Sequence, residues 1–165
     1  MGRDVSVFGG LVRGAIGGAV GTWLMDQVTT GLMDQSSDAD KEMEAAARPN
    51  GQSSTMNLVD LATGRLGLEL DEAQRSTAAT AAHWALGIVP AALYGALRSR
   101  IPGLGIGNGV AFGALLFAAN DEYLNAALGL AGPPEAYPAS THFRGLVGHV
   151  ALGMTVDTVC DLLGG

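Results

Sequence analysis

The chain has 165 residues, with 16 Asp and Glu against 9 Lys and Arg, a net charge of -7 and a mean hydropathy of +0.27. Its length fits one domain over 1–165, and with 48% apolar and only 15% charged residues it is neither disordered nor a nucleic-acid binder built on phosphate neutralisation. The one cysteine, Cys160, excludes an internal disulfide and a thiolate zinc site.

Four stretches approach the roughly 20 apolar residues that a membrane-spanning helix requires. The first, 8–33, contains Arg13 and Asp26 around an uncharged centre, Gly14 to Met25. Within it Gly10, Gly14 and Gly18 recur every four residues, and Gly17 and Gly21 repeat the spacing. In water each such glycine costs a helix about 1 kcal/mol relative to alanine, whereas in lipid it lets helix backbones approach. A Gly/Ala-rich soluble bundle is the alternative. A cleaved signal peptide fits less well, because the segment runs on through Trp23, Met25 and Asp26 without a small-x-small site.

The connection 34–75 is hydrophilic, with nine acidic and four basic residues from Asp34 to Arg75. It predicts a surface helix from Ser37 to Arg48, a turn at Pro49 to Gly51 and an apolar-periodic stretch from Met56 to Leu70. Asp71 is placed to cap the next helix. The second span, 76–97, has no charge at all. The third, 101–123, starts from a turn at Pro102 and Gly103 and carries Gly109 and Gly113 before Asp121 and Glu122. Prolines 133, 134 and 138 then break the chain ahead of the fourth span, 141–163. The fold class expected is therefore an all-α bundle of four transmembrane helices. Arg98 and Arg100 in the shortest loop, with Arg3 ahead of the first helix, put both termini in the cytoplasm.

The outer two spans resemble one another. Aligning Arg13 with Arg144 also matches Gly14 with Gly145, Gly17 with Gly148, Asp26 with Asp157 and Val28 with Val159. Arg13 and Asp26 lie roughly 20 Å apart along a helix, so antiparallel packing predicts the ion pairs Arg13–Asp157 and Asp26–Arg144. Such pairs are either staples or part of a transport path.

In this topology Asp26, His83, Asp121, Glu122 and His149 share the outer half of the membrane. Imidazoles and carboxylates at one depth can relay protons, and His83 with His149 could hold a metal or haem iron if their rings meet. A lone helix histidine is more often a hydrogen-bonded packing residue. Asp121 and Glu122 can simply end a helix, and His142 reads as interfacial. The glycine run Gly103 to Gly109 lacks the preceding strand of a dinucleotide loop, and no nucleophile elbow, HExxH or P-loop occurs. Trp23, Trp84 and Tyr94 read as packing or interfacial-belt residues.

From Thr80 to Asp161, roughly half the chain, His83, Tyr94, Ile101-Pro102, Gly129-Leu130, Pro133-Pro134 and Gly148-His149 follow in an order that resembles the YagU-like inner-membrane proteins. The resemblance implies a small bacterial helical protein of the cytoplasmic membrane and carries no reaction with it. The leading expectation is a non-enzymatic subunit or scaffold, with no cofactor, that associates with copies of itself or other membrane subunits through its glycine-rich faces. The rivals are a small proton-linked or ion-conducting transporter using Asp26, His83 and His149, and a haem- or metal-binding redox protein.

Overall fold

A computed structural model describes residues 6–101 and 103–164. The fold is all-α, 79% helical, with no strand among the described residues. Helix α1 spans Val7–Asp34, α2 Asp38–Ala47, α3 Ser54–Leu66 and α4 Glu72–Leu97. After a run of turns come α5, Val110–Phe117, a π-helical segment, Ala118–Leu124, the single turn α6, Asn125–Ala127, and finally α7, Ala139–Leu162. Side chains close the free N–H groups at the starts of the first four helices. Ser6, Ser37 and Ser53 accept bonds at α1, α2 and α3, and Asp71 forms a capping box with Gln74 at α4. Gly67, at φ 65°, ends α3 in the left-handed conformation that glycine adopts without steric cost.

Among the described residues three helices are long and apolar enough to cross a membrane: α1, α4 and α7. The third expected span differs. Helix begins only at Val110, because Gly103, Gly107, Asn108 and Gly109 all take positive φ and a left-handed backbone cannot continue a right-handed helix. Once started, the helix continues past 123 to Ala127 through the π-helical segment. Arg3 and Pro102, used in the sequence argument, lie outside the described residues.

Helix α1 lies between α4 and α7 and runs antiparallel to both. On one face a Cβ at Gly10 would sit 2.5 Å from the Gly95 carbonyl oxygen, and one at Gly18 would sit 2.7 Å from the Ala91 Cβ. On the other face a Cβ at Gly17 would lie 2.9 Å from the Val156 Cα, and Gly21 abuts Leu152. Helix α5 meets α7 in the same way, with Gly109 against Gly153 and Gly113 against the His149 backbone. All of these glycines, with Gly14, are buried between helices of this one chain. They therefore hold the bundle itself, and the space beside them is already filled by helices of the same chain.

The bundle is small inside and apolar outside. Leu152, Val156, Thr22 and Cys160 are its largest fully buried side chains. Val12, Ile16, Val20 and Trp23 on α1 and Val89 and Leu93 on α4 stand exposed. At one end the hydrophilic connection folds back as a cap. Helix α2 lies on the start of α7, where Ser140 Oγ donates to Asp40 at 2.8 Å. Helix α3 is tied to α4 by a two-point contact from Arg75 to Asp60, at 2.9 and 2.6 Å. Asn57 Nδ2 donates to the Leu130 carbonyl at 2.9 Å and anchors the start of α3 to the loop before α7.

Candidate functional site

Beneath the cap, residues of α1, α3, α4, α5, the π-helical segment and α7 line a cavity of about 160 Å³. Helix α1 contributes Thr22 and Met25, α4 His83 and Leu86, the π-helical segment Asn120 and Asp121, and α7 His149 and Leu152. The side chain of His149 is only 6% exposed. Its Nδ1–H donates to the Gly145 carbonyl at 2.9 Å, one turn back, and its Nε2 makes no hydrogen bond among the described residues. Asp121 approaches the same ring, with Oδ2 3.7 Å from Nδ1, and Phe117 flanks it at 5.7 Å between centroids. Across the cavity His83 Nε2–H donates to Asp26 Oδ1 at 2.9 Å. Asn120 Nδ2 donates to Asp121 Oδ1 at 2.8 Å. Pro90 inside α4 has no N–H, so the carbonyl of the lining residue Leu86 loses its usual helical donor.

His149 and Asp121 also border a second cavity of about 280 Å³, roofed by α2. Its wall is held by Glu44, which is 5% exposed. Glu44 accepts from Arg144 Nη2 and Arg48 Nη2, each at 2.6 Å, and from Thr141 Oγ1 at 2.7 Å. Burial pushes this carboxyl up, but the bonds from Arg144, Thr141 and Arg48 outweigh it and leave the pKa below the ordinary 4.5. On the opposite wall Glu122 Oε1 lies 2.6 Å from His142 Nδ1, and His142 Nε2 lies 3.0 Å from the Pro134 carbonyl. Both partners are acceptors, so both bonds form together only when the imidazole carries its second proton.

The far end of the bundle is closed by a different cluster. Tyr94 Oη donates to Asp157 Oδ1 at 2.5 Å, Arg98 pairs with Asp157 at 2.9 Å and also with Asp161, and Tyr94 stacks on Phe112 at 4.5 Å. Between this cluster and the 160 Å³ cavity lie Ala91, Leu152 and Val156, all at most 1% exposed.

Four of the five residues expected at one depth, Asp26, His83, Asp121 and His149, thus meet around one cavity or pair directly with a residue that lines it. Glu122 turns instead to the capped cavity, because neighbouring residues on a helix point in different directions. The two expected ion pairs are corrected. Arg13 donates to the Gly164 carbonyl at 2.7 Å, Asp157 is taken by Arg98, Asp26 by His83, and Arg144 by Glu44 at 2.6 Å. Helices α1 and α7 do run antiparallel, but a charge is claimed by whichever opposite charge the third helix or the cap brings nearest. His83 and His149 line the same cavity, and among the described residues no three His, Cys, Asp or Glu side chains converge on a metal position.

Sequence reasoning missed Glu44, Arg48, Thr22 and Asn120. Glu44 and Arg48 carried a signal, the four-residue spacing of a helical ion pair, but nothing in a helix acidic on several faces told which acid turns inward. Compared with known proteins, the chain has no significant match to a family model, a curated protein or a solved structure. Its likeness to the YagU-like proteins rests on the spaced residues of the sequence alone.

Proposed function

We propose that this chain is an integral protein of a bacterial cytoplasmic membrane, crossing it four times, and that it works as a small proton-linked or ion-conducting transporter through the chamber beneath the cap. The single observation that carries the reading is the meeting of the His83–Asp26 pair, Asp121 and His149 around one cavity inside the bundle. Ionisable groups within a bundle are expensive, and where they gather at a cavity they mark proton or ion routes. The membrane part of the reading is supported by the three long apolar helices and by the large apolar side chains left outside. The fourth span is the α5–π–α6 strut.

Orientation follows from the arginines. Arg98 and Arg100 sit in the shortest loop, with Arg13 at the same end, and on these we turn that end to the cytoplasm, although the cap end also carries Lys41, Arg48, Arg65 and Arg75. The chamber then lies toward the outer side, and the Tyr94–Asp157–Arg98 cluster closes the inner side. A scaffold function loses its main support, since the glycine faces are used within the chain.

The test is proton or cation flux in liposomes containing the purified chain, with Asp26→Asn and His83→Ala. Flux abolished in both, with elution and helicity unchanged, supports the reading. Flux equal to the parent in folded variants overturns it.

A further inference from the structure

The 160 Å³ cavity has a chemical bias that narrows what it can hold. Among the described residues no Lys or Arg lines it. Its polar wall consists of Asp121, Asn120, His83, His149, Thr22 and the serine and threonine at the start of α3; three of its donors are spent on the protein, while the Thr22 hydroxyl is buried without a partner among the described residues. His149 uses its Nδ1–H on Gly145, His83 its Nε2–H on Asp26, and Asn120 its amide on Asp121. What is left over is mainly acceptors, His149 Nε2, the Asn120 carbonyl and the free lone pairs of the Asp121 carboxylate, beside the Thr22 hydroxyl, which can accept or donate. The His149 acceptor belongs to a side chain more than nine-tenths buried and has no hydrogen-bond partner among the described residues. The buried atom of this wall that has no partner is Thr22 Oγ1, and a buried polar atom without a partner is costly, so it marks a place where a polar group of a ligand is expected.

Charge and size point the same way. One carboxylate borders the cavity with no arginine or lysine beside it, which favours a cation. The remaining wall is Met25, Leu86, Leu116 and Leu152, apolar and not built to strip a metal ion of its water. The volume holds several waters or one small organic ion. We infer that this cavity is a binding site for a small hydrogen-bond-donating cation, ammonium or a short primary alkylammonium ion, whose N–H groups go to Asp121, His149 Nε2 and Asn120 Oδ1 and whose alkyl group lies against the leucines. The inference rests on the chamber reading above and gives it a substrate class.

The probe is methylammonium chloride, compared at equal ionic strength with tetramethylammonium chloride, potassium chloride and sodium acetate, on the full chain purified in detergent. Binding is read by titration calorimetry and by the shift of the thermal midpoint. Saturable one-to-one binding of methylammonium, with no shift from the other three salts, is the expected result. Asp121→Asn should abolish it. His149→Leu, which removes the ring nitrogen, should weaken it at least tenfold, and it serves where the aspartate variant does not fold. Equal binding of methylammonium and tetramethylammonium, binding of acetate, or no binding of methylammonium overturns the inference, and the salt comparison needs no variant. Methylammonium binding without flux in liposomes refutes the transport reading alone. Proton flux without methylammonium binding refutes this inference alone.

Discussion

Replacing Glu44 by alanine should loosen α2 from the bundle while leaving the bundle itself folded. The carboxylate is 7% exposed and is the one group that joins α2 to both Thr141 and Arg144 of α7. Without it Arg144, itself 12% exposed, keeps a buried guanidinium with no counter-charge. Breaking a buried pair from one side costs about 3–5 kcal/mol. The bond from Arg48 adds little, because that side chain is 39% exposed and screened by solvent. Taking the lower bound, about 3 kcal/mol at 1.4 kcal/mol per factor of ten raises the undocked population of α2 about a hundredfold. Amide hydrogen exchange on the full chain in detergent reads this directly: the α2 amides should exchange about a hundredfold faster than in the parent, with α4 and α7 unchanged. Exchange of α2 at the parental rate would refute the reasoning, since it would mean that other contacts, such as the Ser140–Asp40 bond, rather than Glu44 hold the cap.

The same carboxylate predicts a pH response. Its folded-state pKa is lowered, so the stability it contributes is present above the ordinary 4.5 and is lost as pH falls from there through the folded value; α2 protection should fall in that window in the parent, and Glu44→Gln should lack that limb, an identical acid slope in both refuting the assignment. Gly14→Ala places a Cβ into the Ala91 carbonyl and should destabilise by about 1–3 kcal/mol, whereas Gly31→Ala, in the same helix with nothing within 4 Å, should be neutral or stabilising by up to about 1 kcal/mol. Thermal midpoints of the two proteins check this, and equal shifts would mean that α1 does not pack on α4 through Gly14. Tyr94→Phe removes the 2.5 Å bond to the buried Asp157 and should cost about 1.5–3 kcal/mol, read as a lowered midpoint; an unchanged midpoint would show that Arg98 alone satisfies that carboxylate.

Patterns local in the chain determined much of this molecule. Runs free of charge set the cores of α1, α4 and α7, Ser37 and Asp71 set helix starts, and the four-residue glycine spacing set which faces pack closely, because each depends on neighbours within one or two turns. The late start of α5 was also written locally, in glycines 103, 107 and 109, but an apolar composition without charges masks the difference between turn and helix. Depth along the bundle was legible too, since helix rise converts position into height, and it brought Asp26, His83, Asp121 and His149 to one level. Tertiary structure alone decided their partners. Height does not say which way a side chain turns about its helix, and that rotation gave Asp26 to His83, Asp157 to Arg98 and Arg144 to Glu44. It also turned the glycines of α1 inward on both sides, so that a spacing equally suited to joining two molecules was used to join three helices of one chain.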